Sequence, residues 1–308
     1  MPALPTVLAT TSSFGLACTE ARERLEGSGF ALVTNPHGRK LTQAELRELL
    51  LSHRPMGLLA GTEPVTGSVL EAAADFLRVV SRVGVGWDNV DRSMAARLGI
   101  PVLRTEGVLT DAVAEMTLGF MLNALRLLSL QDRDLRAGNW KKRMGSLLRA
   151  KTVGIIGFGA IGRRVGDLCA AFGARVLHCD PLPAPDAPGE RCELDELLTL
   201  ADVVTLHVSG SERLLGNAEL DRCRPGAILI NTARGELIDE HALAERLADG
   251  RLGHACLDVY EREPYQGPLA GLNNTTLTPH VGSYALEARA DMERLAVENL
   301  LSALRGDA

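Results

Sequence analysis

The chain has 308 residues, with 33 Lys and Arg against 39 Asp and Glu, which gives a formal net charge of −6. Hydrophobic residues make up 46% and charged residues 23%, the balance of a folded globular protein, and the length predicts two domains. The acidic balance, a sequence pI near 5.7 and an aromatic content of 4% argue against nucleic acid or an anionic membrane as a partner.

The sequence carries no sign of export. Its first residues lack the basic and long apolar regions of a signal peptide. The most apolar stretch, residues 116–130, is interrupted by Asn123 and Arg126 and is too short to span a bilayer. We therefore expect a cytoplasmic protein, without a metal site and with reduced thiols at its six scattered cysteines, Cys18, Cys169, Cys179, Cys192, Cys223 and Cys256.

Short β-branched runs alternate with helical segments along the first hundred residues, the pattern of an α/β fold with parallel sheets. We predict helices at residues 43–52 and 68–75. The predicted strands are residues 7–10, 31–34, 57–60, 78–81 and 102–103.

A long apolar helix is predicted next, at about residues 110–135, and it favours core packing with a possible role in a dimer interface. A second α/β series follows from Lys151 to about His280, and the last helix is predicted at residues 284–304. The strands predicted in this second series are residues 152–156, 175–179, 203–207, 227–231 and 254–258.

The start of this second series predicts a dinucleotide site. Gly157, Gly159 and Gly162 form G-x-G-x-x-G between a strand at 153–156 and a helix at 160–172. Gly157 permits the tight turn, Gly159 lets the backbone approach a pyrophosphate, and Gly162 lets helix and strand pack closely. The first helical turn, with Ala160 and Ile161, supplies free N–H groups to the phosphates.

Asp180 ends the next strand, where a carboxylate accepts hydrogen bonds from the adenosine ribose. Because a carboxylate repels a 2′-phosphate, NAD (NADH) is the predicted cofactor. The alternative is NADP, bound through Arg163, Arg164 or the Pro-rich segment 181–190.

Reduction of a keto acid requires a cation for the substrate and a proton donor for the developing alkoxide. Three predicted strand-end loops carry suitable groups: Arg234 in NTARGELID, Glu263 in DVYEREP and His280 in LTPHVGS. Each residue alone also fits a structural role, as a surface arginine, a turn or a packed histidine. Together they supply a substrate cation, an acid and a carboxylate that orients the acid.

The chain resembles the D-isomer-specific 2-hydroxyacid dehydrogenase family, and within it the phosphoglycerate-dehydrogenase-like members. The resemblance is carried by six segments in the family's order: SRVGVGWDNVD at 81–91, TDAVAEMTLGFML at 110–122, TVGIIGFGAIG at 152–162, INTARGELID at 230–239, LDVYEREP at 257–264 and TPHVGSY at 278–284.

The resemblance implies an NAD-dependent oxidoreductase that interconverts a 2-keto acid and a D-2-hydroxy acid. It implies that His280 is the general acid/base, that Glu263 holds its imidazole and raises its pKa, and that Arg234 binds the substrate carboxylate. The backbone N–H groups of a loop would bind the same carboxylate; this loop consists of Val83, Gly84, Val85 and Gly86.

The family also implies that Thr232 and Asp258 approach the nicotinamide and that His207 lies near the adenosine. Its architecture is two Rossmann-like, doubly wound parallel sheets with the catalytic site in the cleft between them. The substrate domain would comprise residues 1–101 plus 281–308, and the cofactor domain residues 102–280. A homodimer is the usual state, and a NAD(H)-sensing corepressor on the same fold is the alternative function.

Some positions depart from the family. The loop after the third strand, residues 60–66, carries Glu63 where phosphoglycerate dehydrogenases typically place a base, so a substrate phosphate would lack that partner. Arg82 and Arg104 are possible substitutes. Trp87 could narrow the pocket or pack between domains, and Arg104 with Glu106 could serve the substrate or a hinge.

Overall fold

The structure, a computed structural model, describes residues 4–16, 18–182 and 188–306. It divides into two compact units, one of residues Met1–Leu109 with Tyr284–Ala308 and the other of Thr110–Ser283. The first unit therefore extends beyond the predicted boundary at residue 101, because residues 102–104 form a strand of its sheet. Residues 183–187 of the Pro-rich segment lie outside the described part.

Twelve strands are described, and every paired strand is parallel to its neighbour. They are β1 (Thr6–Ala9), β2 (Ala31–Thr34), β3 (Gly57–Ala60), β4 (Val79–Arg82), β5 (Val102–Arg104), β6 (Thr152–Ile156), β7 (Arg175–Cys179), β8 (Glu190–Arg191), β9 (Val203–Leu206), β10 (Ile228–Asn231), β11 (His254–Leu257) and β12 (Thr275–Leu277).

Eleven α-helices are found in the described residues. They are α1 (Glu20–Gly27), α2 (Gln43–His53), α3 (Gly67–Ala73), α4 (Arg92–Arg97), α5 (Thr110–Arg126), α6 (Leu128–Arg136), α7 (Ala160–Ala171), α8 (Leu194–Leu200), α9 (Asn217–Arg222), α10 (Glu240–Ala248) and α11 (Leu286–Arg305).

The first unit is a five-stranded sheet in the order β2-β1-β3-β4-β5. Apolar clusters lie on both faces, one against α2, α3 and α4 and the other against α1 and α11. The last helix, α11, therefore returns to the first sheet, and the Ser81 hydroxyl donates to the Ala296 carbonyl of α11 over 2.8 Å. Each fully buried Leu contributes about 1.5–3 kcal/mol to this packing.

The second unit is a seven-stranded sheet in the order β12-β11-β10-β9-β6-β7-β8. Strand β6 lies between β7 and β9, so the strand order reverses there, and such a point is where ligands bind at the carboxyl edge of open sheets. Helices α5 and α7 pack on one face, and α8, α9 and α10 on the other. The fold class predicted from sequence is confirmed.

The predicted single helix over 110–135 is wrong, because it breaks at Leu127 into α5 and α6. Leu127 has a left-handed φ of 55°. The Asn123 side-chain oxygen accepts from the Ser129 N–H at 3.0 Å and from its hydroxyl at 2.7 Å, and so caps the start of α6. The two helices bend by 59° at this point.

No single described helix is long and apolar enough to span a membrane, and α5 with α6 meet that test only when counted together across their bend.

Candidate active site

The first and third glycines of the predicted phosphate turn are required by the protein's own packing. Gly157 has φ +88°, and a Cβ built there would lie 2.6 Å from the His207 carbonyl carbon. A Cβ on Gly162 would lie 2.1 Å from the Gly157 oxygen. A side chain on Gly157 would collide with the segment that follows β9, and one on Gly162 would push α7 away from the end of β6.

Gly159 differs, because a Cβ built there meets no protein atom within 4 Å and its backbone φ is −71°. The protein itself would tolerate a side chain at this exposed helix cap. The room in front of Gly159 and the N–H groups of the first turn of α7, residues 160–162, fit a pyrophosphate. The residues present therefore match a dinucleotide.

Asp180 directly follows β7 and lies beside this turn. Its carboxylate accepts from the Phe158 N–H at 2.6 Å and from the Leu182 N–H at 2.8 Å. A carboxylate has about four acceptor positions, so capacity is left for ribose hydroxyls. His207 follows β9 on the other side of β6, with its Nε2 3.0 Å from the Thr205 hydroxyl. Burial lowers the pKa of His207 to about 3, and this imidazole is neutral at working pH.

The three predicted chemistry residues lie on loops at one edge of the second sheet, after β10, β11 and β12. His280 Nδ1 lies 3.0 Å from both carboxylate oxygens of Glu263. The two side chains are 51% and 40% exposed, so a substrate can reach the imidazole. Because Glu263 occupies Nδ1, Nε2 is the nitrogen that can act on a substrate.

The hydrogen bond to Glu263 is the main cause of a raised His280 pKa. Burial lowers the same pKa, the charges of Glu263 and Asp258 raise it, and the charge of Arg234 lowers it. The net direction is upward, which favours an imidazolium that can donate a proton.

Asp258 holds the turn that carries His280. Its buried carboxylate accepts from the Thr278 hydroxyl at 2.5 Å and from the N–H groups of Val281 and Gly282, each at 2.8 Å. His280 has a left-handed φ of 54°, a conformation that a histidine holds only where neighbours fix it. The predicted role of Asp258 toward the nicotinamide stays a prediction beside this observed one.

Asn231 was missed by sequence reasoning and fixes the Arg234 loop. Its amide donates to the Arg234 carbonyl at 2.8 Å and accepts from the Ala233 N–H at 3.0 Å. The available sequence signal was an asparagine at the end of an otherwise apolar strand. The structure buries this side chain, and a buried amide needs hydrogen-bond partners. Thr232, next in the chain, has its hydroxyl 3.2 Å from that of Thr117 on α5.

Gly235 and Tyr260 connect the three loops. A Cβ on Gly235 would lie 1.9 Å from the Tyr260 carbonyl carbon, so the Arg234 loop rests directly on the turn that leads to Glu263. The Tyr260 hydroxyl lies 2.9 Å from the Thr278 carbonyl on the His280 turn. No sequence signal indicates this position of Tyr260, because an aromatic residue there fits a core role equally well.

In the first unit, the predicted substrate loop follows β4. Its first two N–H groups are engaged by backbone, since Val83 donates to the Ala60 carbonyl at 2.9 Å and Gly84 to the Arg82 carbonyl at 3.0 Å. Within the described ranges, Val85 and Gly86 make no such backbone bond. Of the four N–H groups predicted to bind a substrate carboxylate, those of Val83 and Gly84 are already engaged. The prediction therefore remains for the N–H groups of Val85 and Gly86 alone.

The charged residues around this loop are engaged within the first unit. Glu63 is 1% exposed, and its carboxylate accepts from the Thr10 hydroxyl and from the Gly61 N–H. Buried Arg82 donates to the Val83 carbonyl. Arg104 pairs with Glu106.

Trp87 packs against two guanidinium groups. Arg104 lies 4.0 Å and Arg92 4.2 Å from the centre of its ring. Such contacts fix a tryptophan within its own unit.

In the described part of the chain, no cluster of three His, Cys, Asp or Glu side chains could hold a metal ion.

Comparison with known proteins identifies the family. Residues 118–282 match the family model described as D-isomer specific 2-hydroxyacid dehydrogenase, NAD binding domain. The chain is 36% identical to a glyoxylate reductase of Thermococcus litoralis over 263 residues, which cover 80% of this chain and 79% of that protein. It is 34% identical to a hydroxypyruvate reductase of Thermotoga maritima, with 92% and 95% covered.

A solved structure, that of the TT0316 protein from Thermus thermophilus, matches with a TM-score of 0.91 and 38% identity. The match covers 98% of this chain and 97% of that one.

The chain belongs to the D-isomer-specific 2-hydroxyacid dehydrogenase family. It is an NAD-dependent oxidoreductase that interconverts 2-keto acids and D-2-hydroxy acids. The alternative of a NAD(H)-sensing corepressor is not favoured by these relatives.

Gly159 and Gly162 are packed differently, so alanine substitutions at these two positions should have different effects. Gly159→Ala should keep the melting temperature of the wild type but raise the KM for NADH at least tenfold, because the Cβ enters space left for the pyrophosphate. Gly162→Ala should lower the melting temperature by several degrees, because its Cβ collides with backbone. Thermal unfolding and NADH titration of both variants test this prediction. An equal fall in melting temperature for the two variants would contradict it.

The Glu263 contact predicts a pH effect. Reduction needs the imidazolium, so kcat/KM is present below the His280 pKa and is lost as pH rises through it. Glu263→Gln removes the carboxylate that raises this pKa, so the falling limb of the profile should move to lower pH. Glu261→Gln is the matched control, because Glu261 lies on the same turn but pairs with Arg213 at 2.8 Å. An unmoved limb in Glu263→Gln would show that the carboxylate does not set the pKa.

Proposed function

We propose that the enzyme reduces a small 2-keto acid that carries no phosphate, with His280 as general acid/base, Glu263 as its orienting partner and Arg234 as the substrate cation. The observation that carries these roles is the His280–Glu263 pair at 3.0 Å, which leaves Nε2 for the substrate oxygen.

In the direction of keto-acid reduction, the residues act as follows. The Arg234 guanidinium binds the substrate carboxylate and polarises the C2 carbonyl, because its planar donors match a carboxylate. NADH supplies the hydride that C2 accepts. His280 donates the Nε2 proton to the carbonyl oxygen, and Glu263 stabilises the imidazolium until that transfer. In the reverse direction neutral His280 takes the proton from the hydroxyl.

For the loop after β4, we propose that the N–H groups of Val85 and Gly86 bind the substrate carboxylate. For Thr232, Asp258 and His207 we propose places along the cofactor, with Thr232 and Asp258 at the nicotinamide end. We also propose that the first unit is the substrate domain and the second the cofactor domain. Support comes from the glycine turn and Asp180, which both lie in the second unit.

The absence of phosphate in the substrate is inferred from the charges of the first unit. A phosphate monoester carries nearly two negative charges and needs cations around it. The loop of residues 60–66 instead presents a buried carboxylate, Glu63, and Arg104 is paired with Glu106. Two relatives that match over most of their length, a glyoxylate reductase and a hydroxypyruvate reductase, have names that agree with a small uncharged substituent at C2. The chain is also 35% and 37% identical to two D-3-phosphoglycerate dehydrogenases, but it covers only 48% and 53% of their length.

The test is NADH oxidation with glyoxylate, hydroxypyruvate and 3-phosphohydroxypyruvate. Hydroxypyruvate or glyoxylate should exceed the phosphorylated acid at least tenfold in kcat/KM. His280→Ala and Arg234→Ala should lose about 10²–10⁴-fold with each accepted substrate. Arg262→Ala, an exposed arginine on the Glu263 turn, is the control and should retain activity. A preference for the phosphorylated acid would overturn the substrate class, and full activity of His280→Ala would overturn the roles.

We propose that the enzyme is a homodimer and works in the cytoplasm. Five large apolar side chains lie exposed within residues 128–147, and α6 buries no residue in its own chain. They are Leu128, Leu135, Trp140, Met144 and Leu147. A second copy would cover this surface. The six free cysteines agree with a reducing compartment.

Light scattering should give twice the 32.9 kDa chain mass. Leu135→Glu should shift the protein toward monomer, because a charge would enter the covered surface. Leu286→Glu, a change at a leucine that is 64% exposed elsewhere, should leave the mass unchanged. A monomeric wild type at micromolar concentration would contradict the dimer.

A further inference from the structure

Two cysteines without a role in the reaction lie opposite each other at the edge of the second sheet. Cys179 is the last residue of β7, and Cys192 directly follows β8. Parallel pairing sets His178 opposite Arg191, so the next residues along the two strands, Cys179 and Cys192, are also opposite each other. The Cys192 N–H donates to the His178 carbonyl at 3.0 Å, which extends the pairing of the strands up to the two cysteines.

The two thiols lie on the same face of the sheet. Side chains along a strand alternate between faces, so Arg175 shares a face with Cys179, and Glu190 shares one with Cys192. Arg175 and Glu190 form an ion pair at 2.7 Å, which shows that these two faces are one and the same. Both cysteines also pack against the apolar cluster that includes Leu197 of α8.

This arrangement fits a disulfide. Neighbouring strands lie about 4.8 Å apart, and the Cα atoms of a disulfide usually lie about 4.4–6.8 Å apart. Among the described strands, β8 has only two residues and is the edge strand of its sheet, so a small shift of Cys192 toward Cys179 disturbs little else. Both thiols are free and partly exposed, so a small oxidant can reach them.

The main chain of Cys179 supports the phosphate turn of the dinucleotide site. Its carbonyl accepts from the Gly157 N–H at 2.9 Å. The next residue is Asp180, whose carboxylate accepts from the Phe158 N–H at 2.6 Å. A covalent bond that pulls Cys179 toward β8 therefore acts on the turn through both hydrogen bonds.

We propose that Cys179 and Cys192 form a reversible disulfide that weakens the binding of NAD(H). The oxidant is a low-molecular-weight disulfide such as oxidised glutathione. One cysteine attacks it and releases one glutathione thiol, and the other cysteine then attacks the mixed disulfide and releases the second. The Sγ–Sγ bond of the protein forms, the S–S bond of the oxidant breaks, and the two protons and two electrons of the cysteines pass to the glutathione sulfurs.

The surroundings keep both cysteines as thiols in the resting enzyme. Burial is the main cause of a raised pKa at Cys179 and at Cys192, and the pKa of Cys192 reaches about 11. Because the thiolate is the attacking species, oxidation is slow, and the pair responds to sustained oxidation. The nearby charged groups that raise one of these pKa values are Asp180, Glu190, Glu193 and Glu196, and those that lower one are Arg175 and Arg191.

Peptide mapping tests the bond. The whole protein is incubated with excess oxidised glutathione and digested with trypsin without reduction, and the peptides are analysed by mass spectrometry. Trypsin cleaves after Arg191 and so separates the two cysteines. A cross-linked pair of peptides, lighter by two hydrogens than the two free peptides together, should appear in the wild type and disappear after treatment with dithiothreitol.

Calorimetric titration with NADH tests the consequence of the bond. The oxidised wild type should bind NADH at least fivefold more weakly than the reduced wild type, and dithiothreitol should restore the affinity. Cys192→Ala should bind NADH as the reduced wild type does, before and after oxidation. Cys18→Ala is the matched control, because Cys18 is a partly exposed cysteine of the first unit, and it should lose affinity on oxidation as the wild type does.

The proposal is refuted if no cross-linked peptide forms, or if the cross-linked protein binds NADH as tightly as the reduced protein. A loss in oxidised Cys192→Ala as large as that in the wild type would also overturn it, because a glutathione adduct would then cause the loss. The identity of the keto acid enters neither measurement, so the proposed substrate class and this disulfide fail separately.

Discussion

The candidate active site depends on the carboxylate of Asp258. This single buried side chain gathers three donors from one turn, the Thr278 hydroxyl and the N–H groups of Val281 and Gly282, and so fixes the backbone on both sides of His280. A buried carboxylate without donors would cost several kcal/mol, so the turn and the charge stabilise each other. His280 is thereby held at a backbone angle that brings Nδ1 to Glu263. Asp258 therefore positions His280 through the backbone of the turn and without a hydrogen bond to the imidazole.

The other constraint is close approach between loops that are far apart in the chain. The missing side chain of Gly235 lets the Arg234 loop lie on the Tyr260–Glu261 peptide, and the Tyr260 hydroxyl reaches the His280 turn. The loops of Arg234, Glu263 and His280 are therefore joined by direct contacts. Gly235 and Tyr260 contribute to the geometry of the site through these contacts.

Much of this arrangement follows from sequence. The glycine spacing and Asp180 predict the turn, because Gly157 and Gly162 each meet a local steric requirement and Gly159 leaves room for a pyrophosphate. Parallel strands also place their following loops at one edge of the sheet. The break at Leu127 could not be predicted, because apolar periodicity continues through it and the cap comes from the Asn123 side chain. Tyr260 also escaped prediction, since its hydroxyl contacts a turn 18 positions away in the chain. Asn231 escaped prediction although its partners are close in the chain, because its burial is a property of the folded sheet.

The contact of Trp87 with Arg92 and Arg104 has a spectroscopic consequence. The chain has two tryptophans, one in each unit, and their surroundings differ sharply. Trp87 lies under two guanidinium groups that separate from it when the first unit unfolds, whereas Trp140 is 83% exposed from the outset. The change in native fluorescence on unfolding therefore comes chiefly from the first unit. The protein carries an intrinsic reporter for the loss of one half of its structure.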